Sequence, residues 1–178
     1  MYRLPSEACK PDLSGDDPYG TQTPLARCIP MWGGISAGGC APVCFHRWKK
    51  MNDQDWAKVV KKGYLKKAIK GVSPVSANGQ WKILADNESF LRAKRVKDLY
   101  KAQKISFWKL PARSPDLNPV EQLWAWLRRH LRAMDLKDAV QKKPVLGKTA
   151  YIQRIRHVLK SKKANDVASK CALGLKKT

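Results

Sequence analysis

Residues 114–131 read SPDLNPVEQLWAWLRRHL and hold the clearest helix signal in the chain. Asn118 is a residue type favoured just before a helix, and Pro119 suits the first helical position because its missing N–H would have no partner there. Val120, Leu123, Trp124, Leu127, Leu131 and Met134 then recur at helical spacing as one apolar stripe. Glu121 lies in the first turn. At about 100° per residue it falls on the border of that stripe, facing inward yet reachable. A rigid turn thus delivers one carboxylate to the edge of a buried helix.

Working toward the amino terminus, ISFWKL (105–110) reads as a buried strand ended by Pro111. Residues 90–103 show helical spacing through Phe90, Val96, Leu99 and Tyr100. WKILA (81–85) is a compact apolar run of the kind found in central strands covered on both faces. Asp86 follows it directly, at the carboxyl end of the strand, where ligand sites of open α/β sheets gather. A helical stretch over 53–71 carries Trp56, Val59, Val60, Leu65 and Ile69 and stops at Gly71, and Asn78-Gly79 marks a turn in the loop beyond. RCIPMWGGIS (27–36) and APVCFHR (41–47) form a hairpin joined by AGGC, with Pro30 weakening the first strand. Residues 1–27 hold four prolines and two glycines without any period, and read as an irregular arm. The order is strand, strand, helix, strand, helix, strand, helix. That predicts an α/β fold with parallel pairing in its second half and a mixed sheet overall. The predicted division is an arm over 1–27, a domain over 28–136 and a basic helical extension over 137–178 with a helix at 149–161.

The 178 residues carry a net charge of +22, and it is lopsided. Residues 1–45 sum to −1, whereas residues 46–178 hold 33 basic and ten acidic side chains. Such a surface attracts polyanions, nucleic acid first among them. The candidate phosphate contacts are Arg128, Arg129 and Arg132 on the long helix, and Arg154, Arg156, Lys160, Lys162 and Lys163 beyond it. A solvated charged helix would show the same pattern. No long apolar span, lipid-facing amphipathic helix or signal peptide is legible, which argues against a membrane partner. Five cysteines, without a Cys-x-x-Cys pair, speak for a reducing compartment rather than a zinc site or disulfide framework.

Two carboxylates placed like Asp86 and Glu121 can share divalent metal. In two-metal sites the ions stand about 3.5–4 Å apart and stabilise the attacking and leaving oxygens of a phosphodiester. Mg²⁺ suits a few carboxylates completed by water and substrate phosphate. Both acids also have structural readings. Asp86-Asn87 is a turn-forming pair, and Asn118 with Glu121 three residues on matches a capping box.

SPDLNPVEQLWAWLRRHL resembles the catalytic-domain signature of mariner-superfamily transposases, in which such a turn leads into the helix bearing the last catalytic acid. MWGGISAGGCAPVCF is similar to the family's hairpin after the first catalytic strand, and WKILADN to its strand ending in the second catalytic Asp and its neighbouring Asn. The 34 residues between Asp86 and Glu121 match the family's separation. The resemblance covers about residues 27–134. It implies a ribonuclease-H-like fold with two divalent ions, Mg²⁺ or Mn²⁺, on an Asp-Asp-Glu triad. Asp86 would be the second acid and Glu121 the third, both as metal ligands. Asn87 would support the metal shell, while Asp116 and Asn118 would shape the turn that aims Glu121. The implied reaction is hydrolysis of DNA phosphodiesters at element ends, followed by strand transfer from a 3′ hydroxyl. The implied partner is DNA, bound in the nucleus with a homodimer as the expected assembly and no small-molecule substrate.

The chain departs from the pattern in two places. No His stands shortly after the Asp-Asn pair, where the chain reads ESFLRAK, and no apolar strand ending in an acid precedes the hairpin. Asp12, Asp16 and Asp17 lie among Pro and Gly, a poor platform for a rigid ligand. The first catalytic Asp, its strand and the upstream DNA-binding domain are therefore expected to be missing, as in a truncated or decayed copy. Such a chain would hold metal weakly and cut DNA poorly or not at all. The alternative from another class is a non-enzymatic basic nucleic-acid-binding protein that keeps the transposase scaffold.

Overall fold

The structure is a computed structural model that describes residues 29, 31–41, 44–45, 51–72, 81–86, 88–111, 114 and 117–174. The arm over 1–27 lies outside the described residues, with Asp12, Asp16 and Asp17 in it, and so do Pro30, Asn78, Gly79, Asn87 and Asp116.

The hairpin forms as two antiparallel ladders. β1 (Met31–Trp32) pairs with β4 (Cys44–Phe45), and β2 (Ile35–Ser36) pairs with β3 (Gly39–Cys40) across a turn at Ala37-Gly38. The turn is held against the Val72 carbonyl. The Ser36 hydroxyl donates to the Val72 carbonyl, and a Cβ on Gly38 would stand 2.2 Å from that same oxygen. Only glycine lets the two backbones approach this closely.

The expected helix over 53–71 is two helices, α1 (Asp53–Lys61) and α2 (Tyr64–Val72). Gly63 breaks it with φ +74, a left-handed geometry that glycine adopts without steric cost. Asn52 opens α1 by accepting the Asp55 N–H at 2.8 Å. α2 runs one residue past Gly71, the expected stop.

β5 (Trp81–Ala85) and β6 (Ile105–Lys109) pair in parallel, joined through a 3₁₀ turn at Ser89–Arg92 and α3 (Lys94–Ala102). The expectation that WKILA is covered on both faces is corrected. Trp81 is buried and Ile83 and Ala85 half-buried, but Lys82 and Leu84 are exposed. Among the described residues α1, α2 and α3 gather on the first face, where Trp81, Ile83, Ala85, Ile105 and Phe107 join their core. Among the described residues the strands form three separate pairs, one parallel and two antiparallel. They realise both pairing senses of the expected mixed sheet without joining into one.

α4 (Pro119–Val140) is the long helix, with Leu123, Leu127 and Leu131 buried. It runs unbroken through residue 136, where the domain boundary was expected. α5 (Lys148–Lys160) matches the helix expected at 149–161, and α6 (Lys162–Gly174) follows it. These last helices pack back on the molecule, since Ile155, Val158, Leu159 and Ala168 share a core with α4. Two cores result, and the hairpin bridges them. Adjacent residues on a strand face opposite ways, so Trp32 packs on the α1–α3 core while Met31 packs on the α4–α6 core.

Candidate active site

Asp86 sits one residue beyond β5. The Leu110 N–H donates to the Ala85 carbonyl at 3.0 Å, which extends the pairing with β6 to the last residue before the acid. Asp86 is exposed. Glu121 stands in the first turn of α4 and is half-buried. A carboxylate there is favoured by the partial positive charge of the helix N-terminus.

The Asn118 side chain makes no hydrogen bond that caps α4, although capping was expected of it. Instead the Asn118 backbone carbonyl accepts the Glu121 N–H at 3.0 Å. Pro119 at the first position already leaves one fewer donor to satisfy. One half of the capping box is therefore absent, and the purely structural reading of Glu121 loses support.

Asp86, Asn118 and Glu121 line one cavity of about 730 Å³. One wall is β5, the others are the hairpin from Met31 to Ala37, the inner face of α2, the start of α4 and the end of α6. Most of the lining is apolar, and the two carboxylates lie at the carboxyl end of β5 and the amino end of α4. Trp124, read from the sequence only as part of the buried stripe, also lines the cavity. Its place three residues after Glu121, on the same helix face, is the signal that could have marked it. Among the described residues no group of three or more His, Cys, Asp or Glu gathers as a metal site. The donors on hand are two hard carboxylate oxygens sets in one cavity, which fit a Mg²⁺ or Mn²⁺ ion completed by water and phosphate.

The hairpin wall is held from a distance. The Cys40 N–H donates to Asn165 Oδ1 at 3.0 Å, and the Ser169 hydroxyl donates to the Ala37 carbonyl at 2.7 Å. Burial pushes the Cys40 thiol up to about 11, so it stays protonated and unreactive at neutral pH.

The basic residues separate into two groups. Arg128, Arg129, Arg132, Arg156, Lys160, Lys162 and Lys163 are exposed on their helices. Arg154 is not available as the sequence suggested. Its guanidinium reaches Asp135 at 2.7 Å and also pairs with Asp138, while the Tyr151 hydroxyl donates to Asp135 at 2.9 Å. Two carboxylates already bracket the cation, so it ties α5 to α4 rather than meeting a phosphate. Asp135, Asp138 and Asp166 are the three acids after Glu121. Two of them are spent on Arg154. No helix among the described residues is long and apolar enough to cross a membrane.

Residues 10–141 match the family model described as DDE superfamily endonuclease. The Tcb2 transposase of Caenorhabditis briggsae is 35% identical over 57 residues, which are 32% of this chain and 21% of that protein. The matched stretch is thus under a quarter of its relative's length. Among solved structures, the Mos1 mariner paired-end complex with Mn aligns with a TM-score of 0.60 at 16% identity, over 91% of this chain and 46% of that one. The Mos1 transposase catalytic domain with raltegravir and Mn aligns with a TM-score of 0.56 at 15% identity, over 84% and 76%. At these identities the two structures speak for a common fold, the ribonuclease-H-like one.

Proposed function

The chain belongs to the DDE superfamily endonucleases as a mariner-type transposase domain, and from that premise we propose that it acts on DNA phosphodiesters through Asp86 and Glu121. The observation that carries this reading is that Asp86 and Glu121, from elements far apart in sequence, line one cavity. Asp86 and Glu121 would hold the divalent ion, with Asn118 beside them in the wall. A bound Mg²⁺ or Mn²⁺ supplies charge stabilisation to the oxygens of a phosphodiester and acidity to a coordinated water. The walls around the acids are largely apolar, with Trp32, Ile35, Leu84 and Trp124 among them. The exposed arginines and lysines of α4, α5 and α6 hold the DNA backbone. The paired-end complex of the Mos1 match motivates a homodimer that brings two DNA ends together, and the nucleus is the compartment where such DNA would be met.

The experiment measures Mn²⁺ binding by calorimetry, and plasmid nicking in Mg²⁺ and Mn²⁺, for the parent, Asp86→Asn and Glu121→Gln. The parent binds the ion, and each variant loses that binding together with any nicking the parent shows. Catalytic units of this kind lose on the order of 10⁴-fold in rate when one member goes. Ion binding and cutting that survive in both variants would defeat the assignment.

A further inference from the structure

The open face of the β5–β6 pair carries a group of side chains that the catalytic reading leaves unused. Register sets Leu84 beside Trp108 and Lys82 beside Ser106, so these four share the face turned away from the core. Trp108 keeps 59% of its surface in solvent and Leu84 keeps 42%. The Lys82 ammonium sits over the Trp108 ring, 5.1 Å from its centroid. An indole this exposed on a strand can take another flat ring by offset stacking, and the Lys82 ammonium beside it adds positive charge for a neighbouring phosphate. Alternation along β5 puts residue 86 in phase with Lys82 and Leu84. Trp108, opposite Leu84, is therefore about 7 Å along the strand from Asp86. Lys82 and Leu84 also line the cavity that Asp86 and Glu121 share, so this face continues into it.

We infer that Trp108, with Lys82 and Leu84, is a stacking platform for an unpaired nucleobase next to the bond held at Asp86 and Glu121. The inference rests on the reading of DNA as substrate and adds a preference for locally unpaired strand. Base stacking on an exposed indole is tolerant of sequence because every base has a π-face, and the neighbouring ammonium answers the phosphate. The surplus of basic residues after position 45 favours a polynucleotide over a protein occupant. Duplex DNA, whose bases are stacked on one another, would gain nothing from Trp108.

The test is fluorescence anisotropy of the full chain with one labelled oligonucleotide, single-stranded and as duplex, for the parent, Trp108→Ala and Trp108→Phe. Trp108→Ala should weaken single-strand binding about tenfold, leave duplex binding within about twofold, and melt like the parent. Trp108→Phe should retain most of the single-strand affinity. Abasic sites in the single strand should lower parent affinity and leave Trp108→Ala unaffected, a comparison that needs no change to the protein's fold. An equal effect on both DNA forms, or none on either, overturns the platform while the DNA reading stands. A parent that binds neither form overturns both.

Discussion

The two cores of this molecule differ in make-up and in which acid they serve. The first is aromatic. Trp56 contacts Trp32 and Phe90 with ring centroids at 4.6 and 5.7 Å, and its indole N–H donates to the Tyr100 hydroxyl at 2.5 Å. The second is built from Leu123, Leu127, Leu131, Ile155, Val158 and Leu159 between helices. Asp86 stands on a strand anchored in the aromatic core, and Glu121 on the helix that crosses the aliphatic one. The distance between the acids is thus set by how two separately packed bodies meet, with the cavity between them. Interlocked rings with a buried hydrogen bond allow few alternative packings, whereas aliphatic helix contacts tolerate exchange of shape.

The largest effect should come from breaking the aromatic core. Trp56→Ala removes a fully buried indole and leaves the Tyr100 hydroxyl without its donor, costing about 3–5 kcal/mol in chemical denaturation. Leu127→Ala, also fully buried, should cost about 2–5 kcal/mol. The two residues share no packing neighbours, so the double variant should be additive within about 0.5 kcal/mol. A larger coupling would mean the cores act as one body and the comparison is drawn too sharply.

Next in size is Gly38→Ala at the seam. The new methyl collides with the Val72 carbonyl, and the shift it forces should lower stability by about 1–3 kcal/mol in a denaturation midpoint. Since the turn touches α2 on one side and α6 on the other, this change should also weaken Mn²⁺ binding at the distant acids. Unchanged metal affinity would show that the seam does not govern the cavity.

The smallest effect concerns pH. The hydrogen bond from Arg154 holds the Asp138 carboxyl below its ordinary value, with the charges of Arg154 and Lys143 adding to it and burial opposing. A carboxyl depressed in the folded state contributes stability above its unfolded pKa and loses it as pH falls through the folded one. Melting temperature should therefore drop as pH is lowered below about 4. Asp138→Asn should flatten that part of the profile, and an identical slope would dismiss the ion pair as a contributor.

Much of the aromatic body was legible in order, because its strands and helices are short local patterns. WKILA and ISFWKL each announce themselves within six residues. The stripe Leu123, Leu127, Leu131 was legible as well, since one helix face carries it. What the sequence hid is long-range or small. Ala164 and Ala168 bury the face of α6 completely, yet two alanines leave no hydrophobic stripe to read. Arg154 looked like a phosphate contact because its partners, Asp135 and Asp138, sit a helix away. The open face of β5 was missed for a related reason, since an apolar run does not say whether a helix will cover its second side. The placement of Asp86 and Glu121 at element ends was readable, but their sharing of one cavity required the fold.

The clasp on the hairpin turn has a consequence for how the protein is born. Cys40 meets Asn165 across 125 positions of chain, and Ala37 meets Ser169 across 132. A ribosome delivers the hairpin well before α6. During that interval the turn lacks its Asn165 and Ser169 partners, and the cavity wall has no clamp from α6. Contacts so distant along the chain form late because loop closure must precede their reward. The nascent polypeptide therefore passes through a stage in which both acids exist but the wall between them is unfinished, and it gains a set cavity only once α6 has been made.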